Sequence, residues 1–213
     1  PRVRRQRQMC IRDRIKIVTL APELDEGNLL CAYLKEKGIR VSAGHCMGAD
    51  LSHVDQVTHL YNAMGAFSHR TQSTVVSALC NDNIYTEIIA DGIHVQKDVL
   101  NITFRTKPLN KIILISDALP ITHSDKDSMD FCSKKVFLQN GKAVDSNGTI
   151  AGSTAFVYDI IKMLVNQGML DLRTACAMAS KNLTYIQDLN SQLYWDSSCN
   201  IQAMNINGSL VTF

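Results

Sequence analysis

Four short apolar segments are each followed directly by a histidine or an aspartate, and this repeated arrangement constrains the fold more than any other feature. The polar pieces are Gly44-His45, Thr58-His59, Asp91–His94 and Ser116-Asp117. Because parallel strands bring their carboxyl ends to one edge of a sheet or barrel, we expect these side chains to converge there. Strand-like and helix-like segments alternate along the chain, which is typical of parallel βαβ units. The pattern therefore predicts an α/β protein.

The spacing of apolar residues sets the predicted elements. The predicted strands are 15–20, 41–43, 55–58, 85–90, 111–116, 134–138 and 142–144, and the predicted helices are 28–37, 51–56, 73–80, 95–105, 155–167 and 172–180. The strands that flank Asn140-Gly141 are predicted to form a hairpin, since Asn-Gly favours the tight turn between hairpin strands. Residues 148–153 are predicted to form a glycine-punctuated loop that brings backbone amides near a ligand. A nucleotide-binding loop is not favoured, because the segment lacks the signature GxxxxGK[ST]. Short strands are predicted from Trp195 onward.

Composition argues against several classes of function. The chain of 213 residues is 46% hydrophobic and 20% charged with a net charge of +2, as expected of an ordinary soluble globular protein. Much of the excess positive charge lies in residues 1–14, which argues against nucleic-acid binding by the rest of the chain. No apolar run is long enough to cross a membrane, so no membrane contact is predicted. The seven cysteines are scattered without a CxxC pair, which favours reduced thiols and a cytoplasmic location.

Residues 1–14 differ in character from everything that follows them. They contain six arginines and show no apolar periodicity. We expect this basic segment to be non-native sequence, and the alternative is an arginine-rich functional tail. The fold prediction therefore starts at Ile15.

His45 and His59 are the candidate metal ligands. A neutral imidazole binds Zn²⁺ or Fe²⁺ through one ring nitrogen, and two strand ends can present two rings to one ion. A catalytic ion needs about three protein ligands and an open position for water, so a third ligand has to come from elsewhere. The alternative for a single such histidine is a hydrogen-bonded core residue, but the occurrence of two in matching contexts favours ligands.

Three further side chains are candidates for chemistry beside such an ion. Asp117 is a candidate general acid and base that takes a proton from water and passes one to a leaving group, and the alternative is a helix cap or turn residue. His94 is a candidate to donate to, or orient, a substrate carbonyl, with Asp91 either supporting it or capping the next helix. Arg70 carries a guanidinium that matches phosphate geometry, although an exposed arginine is usually only solvated.

The ordered set of motifs resembles the N-acetylglucosamine-6-phosphate deacetylase family of the amidohydrolase superfamily. The run Thr58–Met64, with the sequence THLYNAM, is the most specific of the matching pieces. The others are Val18–Glu23, Gly44-His45, Asp91–His94, Ser116–Ala118 and Gly148–Ser153. The fold implied by this resemblance is a partial TIM-type (β/α)8 barrel of the amidohydrolase kind, with a short β-hairpin.

The resemblance also implies a role for each matched residue. His45 and His59 match the metal-binding histidines of the family, and Asp117 matches its catalytic acid and base. One divalent metal ion is implied, Zn²⁺ in preference to Fe²⁺, together with an N-acetylated amino-sugar phosphate as substrate and a homodimer at full length. The substrate-contacting positions are matched by Asn62, Ala63, Arg70, His94, Ile150, Ala151 and Gly152, with Arg70 at the phosphate.

The resemblance further implies that the site is incomplete in this chain. Family members are longer and carry a glutamate ligand in a His-x-Glu-Gly context that this sequence lacks. The implied organisation is a basic segment at 1–14, the C-terminal part of the hydrolase barrel at 15–190 and a remnant of a small β-domain at 191–213. The implied activity is hydrolysis of N-acetyl-D-glucosamine 6-phosphate to glucosamine 6-phosphate and acetate, in amino-sugar catabolism.

Two alternatives to this activity stay open. The chain is either such an enzyme or a non-catalytic remnant that binds sugar phosphate or docks onto a partner. Another amidohydrolase, such as a dihydroorotase or an adenosine deaminase, is a further alternative, against which the block Asn62-Ala63-Met64 argues.

Overall fold

A computed structural model describes residues 15–183 and 191–213, so the prediction for residues 1–14 lies outside the described residues. The chain divides into two compact units. Of the described residues, the first unit contains those up to Ile88 and those in Thr103–Ile112, and the second contains those in Ile89–Ile102 and Ile113–Phe213. Helices and both parallel and antiparallel strands are present, which confirms the predicted α/β class. The partial barrel stays a prediction.

Five of the six predicted helices are present, most of them slightly shorter than predicted. The helices are α1 (Leu29–Glu36), α2 (Thr74–Cys80), α3 (Lys97–Thr106), α4 (Val157–Asn166) and α5 (Leu172–Met178). The strands are β1 (Ile17–Leu20), β2 (Arg40–Ala43), β3 (Gln56–Val57), β4 (Tyr85–Ile88), β5 (Ile112–Leu114), β6 (Ser128–Phe131), β7 (Lys134–Gln139), β8 (Lys142–Asp145), β9 (Ile150–Gly152), β10 (Ser191–Trp195), β11 (Ile201–Ile206) and β12 (Ser209–Thr212).

In the first unit, β1 to β4 form a parallel sheet whose strand order follows the chain. A β/α barrel has the same sequential order, so this arrangement supports the barrel prediction. The register pairs Thr19 with Ser42 and Ser42 with Gln56, which places these polar side chains on one face. The apolar core of the unit includes Cys31, Leu34, Val41, Ala43, Val57, Val75, Ala78 and Leu79, which come from α1, α2 and the strands between them.

The second unit contains two antiparallel sheets, β6 to β9 and β10 to β12. The predicted hairpin is β7 and β8: Gln139 pairs with Lys142, and Asn140 and Gly141 between them have φ values of 51° and 74°. Positive φ at both central residues is what the type I′ hairpin turn requires. The prediction of a loop at 148–153 is wrong in part, because Ile150–Gly152 pairs with β8 as strand β9. This pairing satisfies backbone groups that a loop would leave to water.

The predicted helix at 51–56 is absent, because the residues before β3 form turns. The Asp50 carboxylate accepts hydrogen bonds from Ser52 N at 2.9 Å and from Ser52 Oγ at 2.8 Å. Asp55 Oδ2 accepts a further bond from Val41 N at 3.0 Å. Aspartate side chains that bond to backbone amides compete with helical hydrogen bonds, so they override the apolar spacing of this short segment.

Lys107 is a buried lysine of the first unit, with only 1% of its surface exposed. Its Nζ donates to Ala78 O at 2.8 Å and to Asn81 O at 2.5 Å, at the C-terminal end of α2. The last carbonyls of a helix have no partner within the helix, so Lys107 satisfies groups that would otherwise be orphaned. Burial lowers the pKa of Lys107 to about 8, against an opposing effect of Asp82.

We expect the free energy of unfolding of a Lys107→Met variant to lack the pH dependence that Lys107 contributes in the wild type. Because the folded-state pKa of about 8 lies below the usual 10.5, the unfolded chain binds more protons between these values, and Lys107 makes stability rise with pH there. The neutral amine still has two N–H donors for the two carbonyls. Chemical denaturation should show the difference, wild type minus variant, growing by about 1–2 kcal/mol from about pH 8 to about pH 10. A constant or shrinking difference would contradict this.

Candidate active site

His45 and His59 follow β2 and β3 closely, at the carboxyl ends of two neighbouring parallel strands. Their ring centroids lie 4.9 Å apart and their ring planes meet at 74°. His59 is 8% exposed, whereas His45 is exposed. The structure therefore brings the two predicted metal ligands together in the first unit.

Close contacts between the strands fix the backbone that carries these two rings. A Cβ at Gly44 would lie 2.6 Å from Thr19 Cγ2 and 3.1 Å from Thr58 Cβ, so only glycine fits there. The hydroxyl of Thr58 lies 2.9 Å from Thr19 Oγ1 and 2.6 Å from Ser42 Oγ. These hydrogen bonds connect the carboxyl ends of β1, β2 and β3, and His45 and His59 follow the ends of β2 and β3 in sequence.

The imidazole pair fits a metal ion as two of its ligands. His59 Nδ1 is buried and has no hydrogen-bond partner among the described residues. A buried polar atom without a partner is costly, and coordination of an ion would occupy it. Within residues 15–183 and 191–213, however, no group of three or more His, Cys, Asp or Glu side chains is placed to hold an ion. The described residues therefore supply a ligand pair and not a complete set.

The loop after His59 carries the predicted sugar-contacting residues. Asn62 N donates to His59 O at 3.0 Å, and Asn62 Nδ2 donates to Leu60 O at 3.3 Å, so the side chain folds back on its own loop. Leu60 is fully buried and Ala63 is exposed. Further along, the exposed Arg70 donates from Nε to its neighbour His69 at 3.1 Å. The contacts of Asn62, Ala63 and Arg70 with a substrate stay predictions.

In the second unit, Asp91 holds His94 through both carboxylate oxygens. Asp91 Oδ1 accepts from the backbone N of Ile93 and of His94, both at 2.8 Å, and Asp91 Oδ2 lies 2.8 Å from His94 Nδ1. The side chains of Asp91 and His94 are 2% and 6% exposed. Because α3 begins only at Lys97, Asp91 is the support of His94 and not a helix cap.

The charge on Asp91 determines which ring nitrogen of His94 carries the proton. Burial raises the pKa of Asp91, but the hydrogen bonds from His94 and Ile93 outweigh burial and lower that pKa below its usual value. An ionised carboxylate accepts hydrogen bonds only, so His94 Nδ1 carries the proton of the shared bond. The other ring nitrogen, Nε2, is the one left for a ligand.

Asp117 is exposed, follows β5 and is held through its backbone. Ser153 N donates to Asp117 O at 2.9 Å, and Leu119 N donates to Ser153 O at 3.0 Å, in a parallel bridge between Ala118 and Ser153. A Cβ at Gly152 would lie 2.8 Å from Leu119 Cγ and 3.2 Å from Asp117 O, so glycine is needed beside the segment from Asp117 to Leu119. The helix-cap alternative for Asp117 is wrong, because the next described helix is α4.

Five residues at or beside the predicted sites have a left-handed backbone. The φ values are 50° at His45, 33° at His59, 79° at Tyr61, 49° at Ala63 and 49° at Asp117. Residues other than glycine rarely adopt this conformation, which costs about 1–3 kcal/mol each and is concentrated at functional sites. Seven other described residues besides glycine share this conformation, among them the hairpin residue Asn140, so it does not by itself distinguish the predicted site residues.

The structure brings together some of the predicted site residues within each unit. His45 lies beside His59 in the first unit, and Gly152 lies beside Asp117 in the second. On β9, Ile150 and Ala151 are exposed, whereas Gly152 is buried. Sequence reasoning did not single out Ser153, which bonds to the backbone of Asp117 and to the Asp91 carboxylate, and its place at the end of the glycine-punctuated segment was the only signal.

None of the described helices is long and apolar enough to span a membrane. No protein-family model matches the chain.

Comparisons with known proteins identify relatives of this chain. It is 37% identical over 166 residues to N-acetylglucosamine-6-phosphate deacetylase of Bacillus subtilis, covering 75% of this chain and 40% of the relative. It is 25% identical over 218 residues to N-acetylgalactosamine-6-phosphate deacetylase of Escherichia coli O157:H7, covering 93% of this chain and 58% of that protein. The crystal structure of N-acetylglucosamine-6-phosphate deacetylase from Pasteurella multocida superposes with a TM-score of 0.82 at 27% identity, covering 98% of this chain and 60% of that one.

These comparisons place the fold in the amidohydrolase class of α/β proteins. Over the 75% of its residues that the Bacillus subtilis relative matches, the chain belongs to the N-acetylglucosamine-6-phosphate deacetylase family. The predicted resemblance is therefore confirmed. The chain spans less than two thirds of the length of these relatives, 40% in the case of the Bacillus subtilis protein.

Proposed function

We propose that this chain is the part of a metal-dependent deacetylase that binds N-acetyl-D-glucosamine 6-phosphate and releases glucosamine 6-phosphate and acetate. The observation that carries the proposal is the pair of imidazoles at adjacent strand ends, with the buried His59 Nδ1 lacking a protein partner among the described residues. His45 and His59 would hold one divalent ion, Zn²⁺ in preference to Fe²⁺. Bound there, such an ion would lower the pKa of water and polarise the acetamide carbonyl.

In the proposed reaction, the side chains of the second unit position the substrate and move the proton. The Asp117 carboxylate would take a proton from the attacking water and deliver it to the departing amine nitrogen. His94 would meet the sugar phosphate through Nε2, since Nδ1 is committed to Asp91. The exposed residues Ile150 and Ala151, with Gly152, would line the substrate beside Asp117.

The side chains of the first unit would recognise the sugar and its phosphate. Asn62 and Ala63 would contact the sugar, on the loop that follows His59. Arg70 is exposed, so its guanidinium is accessible for a bidentate contact with a phosphate group. The galactosamine-specific name of one relative makes the C4 epimer a substrate to test alongside the glucosamine compound. We further propose that the full-length protein is a cytoplasmic homodimer that binds neither nucleic acid nor membrane.

One observation favours a second candidate, a non-catalytic remnant that binds the sugar phosphate or docks onto a partner chain. The described residues offer the two histidines proposed as ligands and no third acidic, thiol or imidazole side chain grouped with them. A catalytic ion needs about three protein ligands. A remnant would keep the ligand-contacting residues while lacking turnover.

Product analysis distinguishes the two candidates. We expect the full-length protein that contains this chain, supplied with Zn²⁺ or Fe²⁺, to release acetate from N-acetyl-D-glucosamine 6-phosphate in amounts equal to the free amine formed, with less release from the galactosamine epimer. The isolated chain, whose described residues lack a third ligand, should release little acetate. Proton NMR of acetate and a parallel amine assay measure both products, with unphosphorylated N-acetylglucosamine as the control. Saturable binding of the sugar phosphate without acetate release would contradict the catalytic proposal and favour the remnant.

A further inference from the structure

Ser153 is buried, with 1% of its surface exposed, and it contacts two segments of the second unit at once. Its backbone N donates to Asp117 O at 2.9 Å, and its carbonyl O accepts from Leu119 N at 3.0 Å. The same carbonyl accepts from Thr122 Oγ1 at 3.1 Å. The backbone of Ser153 is therefore bonded to the residues on both sides of Ala118, one of which is Asp117.

The hydroxyl of Ser153 bonds to a different segment of the second unit, the one that contains Asp91. Ser153 Oγ donates to Asp91 Oδ2 at 3.2 Å, the same oxygen that lies 2.8 Å from His94 Nδ1. Ser153 Oγ also accepts from Ala155 N at 3.0 Å. Its single proton has two acceptors within reach, Asp91 Oδ2 at 3.2 Å and Ala155 O at 3.5 Å, and the charged carboxylate is the nearer and stronger of the two. A short chain of bonds thus runs from the Asp117 backbone through Ser153 and Asp91 to the His94 ring.

From this chain of bonds we propose that Ser153 is a positioning residue for both predicted active groups of the second unit. Its backbone holds Asp117 in the left-handed conformation, with φ of 49°, and its hydroxyl holds the carboxylate that orients His94. Rigid placement matters because a displacement of about 1 Å can cost about 100-fold in rate. The inference rests on the proposed function for its effect on turnover, whereas the bond network itself is tested separately.

The Ser153→Ala variant removes the hydroxyl and keeps the backbone bonds to Asp117 and Leu119. We expect kcat/KM to fall about tenfold, as for the loss of one hydrogen bond to a charged group. Asp91→Asn should cost more, and the double variant should be no worse than Asp91→Asn, since Ser153 acts through that carboxylate. Thr154→Ala is the matched control: it removes an adjacent hydroxyl that bonds to Gly141 O at 2.5 Å, and should leave kcat/KM unchanged.

A second readout does not depend on turnover. In ¹⁵N-histidine NMR spectra of the chain, we expect the His94 Nδ1 signal to report a protonated, hydrogen-bonded nitrogen, and Ser153→Ala to shift it while Thr154→Ala does not. Where Ser153→Ala fails to fold, Asp91→Asn gives the reciprocal test in uniformly ¹⁵N-labelled protein, because it should shift the backbone amide signals of Ser153 and Leu119. Unchanged signals in these spectra, or additive losses in the double variant, would overturn the proposal. Absent turnover with the expected spectral shifts would count against the proposed function alone.

Discussion

Replacement of Asp117 by asparagine should lower kcat by about 1,000-fold while leaving binding of the sugar phosphate nearly unchanged. General acid–base transfer by a positioned side chain contributes about 10²–10⁴-fold in rate, and an amide cannot take the proton from water or deliver it to the amine. Asparagine has almost the same shape, and the hydrogen bond that Ser153 N donates goes to the backbone oxygen, which is retained. Turnover would be followed by acetate release, and binding by calorimetry with the substrate.

Asp125→Asn is the matched control for this prediction, because Asp125 is an exposed aspartate of the same unit. It should leave both kcat and affinity at the wild-type value. Retention of full turnover by Asp117→Asn would remove Asp117 from the proton-transfer role. A parallel loss of binding and turnover would make Asp117 a binding group instead of an acid and base.

Replacement of His59 by alanine should weaken binding of Zn²⁺ by at least about 100-fold. Loss of a residue that only supports a metal ligand already costs about 10–100-fold in affinity, and the loss of a ligand itself costs more. His59 is also the member of the pair whose buried Nδ1 lacks a partner among the described residues, so the ion is its expected partner. Calorimetric titration with Zn²⁺ measures the change in affinity without any need for turnover.

Thermal unfolding with and without Zn²⁺ gives a second measurement of the same prediction. A bound ion stabilises the folded state by RT ln(1 + [ion]/Kd), so the rise in Tm that a given concentration of Zn²⁺ causes should be much smaller in His59→Ala. His53→Ala is the control, because His53 is an exposed histidine of the first unit outside the predicted site. Equal Zn²⁺ affinity in wild type and His59→Ala would show that the histidine pair does not hold the ion.

The main features of the fold could be predicted from local patterns. The hairpin over β7 and β8 was predicted because Asn140 and Gly141 both adopt positive φ readily, a property of these two residues alone. Helix α2 was predicted from the spacing of its apolar positions. In the structure, its N-cap Ser73 accepts a hydrogen bond from Val76 N at 3.4 Å. Both signals arise from residues close in sequence.

The errors have a common cause in contacts that the local pattern does not contain. Asp55 bonds to the backbone of Val41, fourteen positions earlier, and thereby helps replace the predicted helix at 51–56 with turns and β3. Ile150–Gly152 forms a strand because its backbone pairs with that of β8. Apolar spacing measures neither effect.

The sequence by itself determined the family and the candidate ligands, because the run Thr58–Met64 and the strand-end histidines are readable in one dimension. Only the tertiary structure decided which of the candidate side chains have hydrogen-bond partners, and which residues those partners are. It placed the two imidazole rings 4.9 Å apart, left His59 Nδ1 without a partner among the described residues, and joined Asp91 to Ser153 across 62 positions of the chain. The physical reason is that hydrogen bonds and burial depend on distance in space, which apolar periodicity along a chain does not encode.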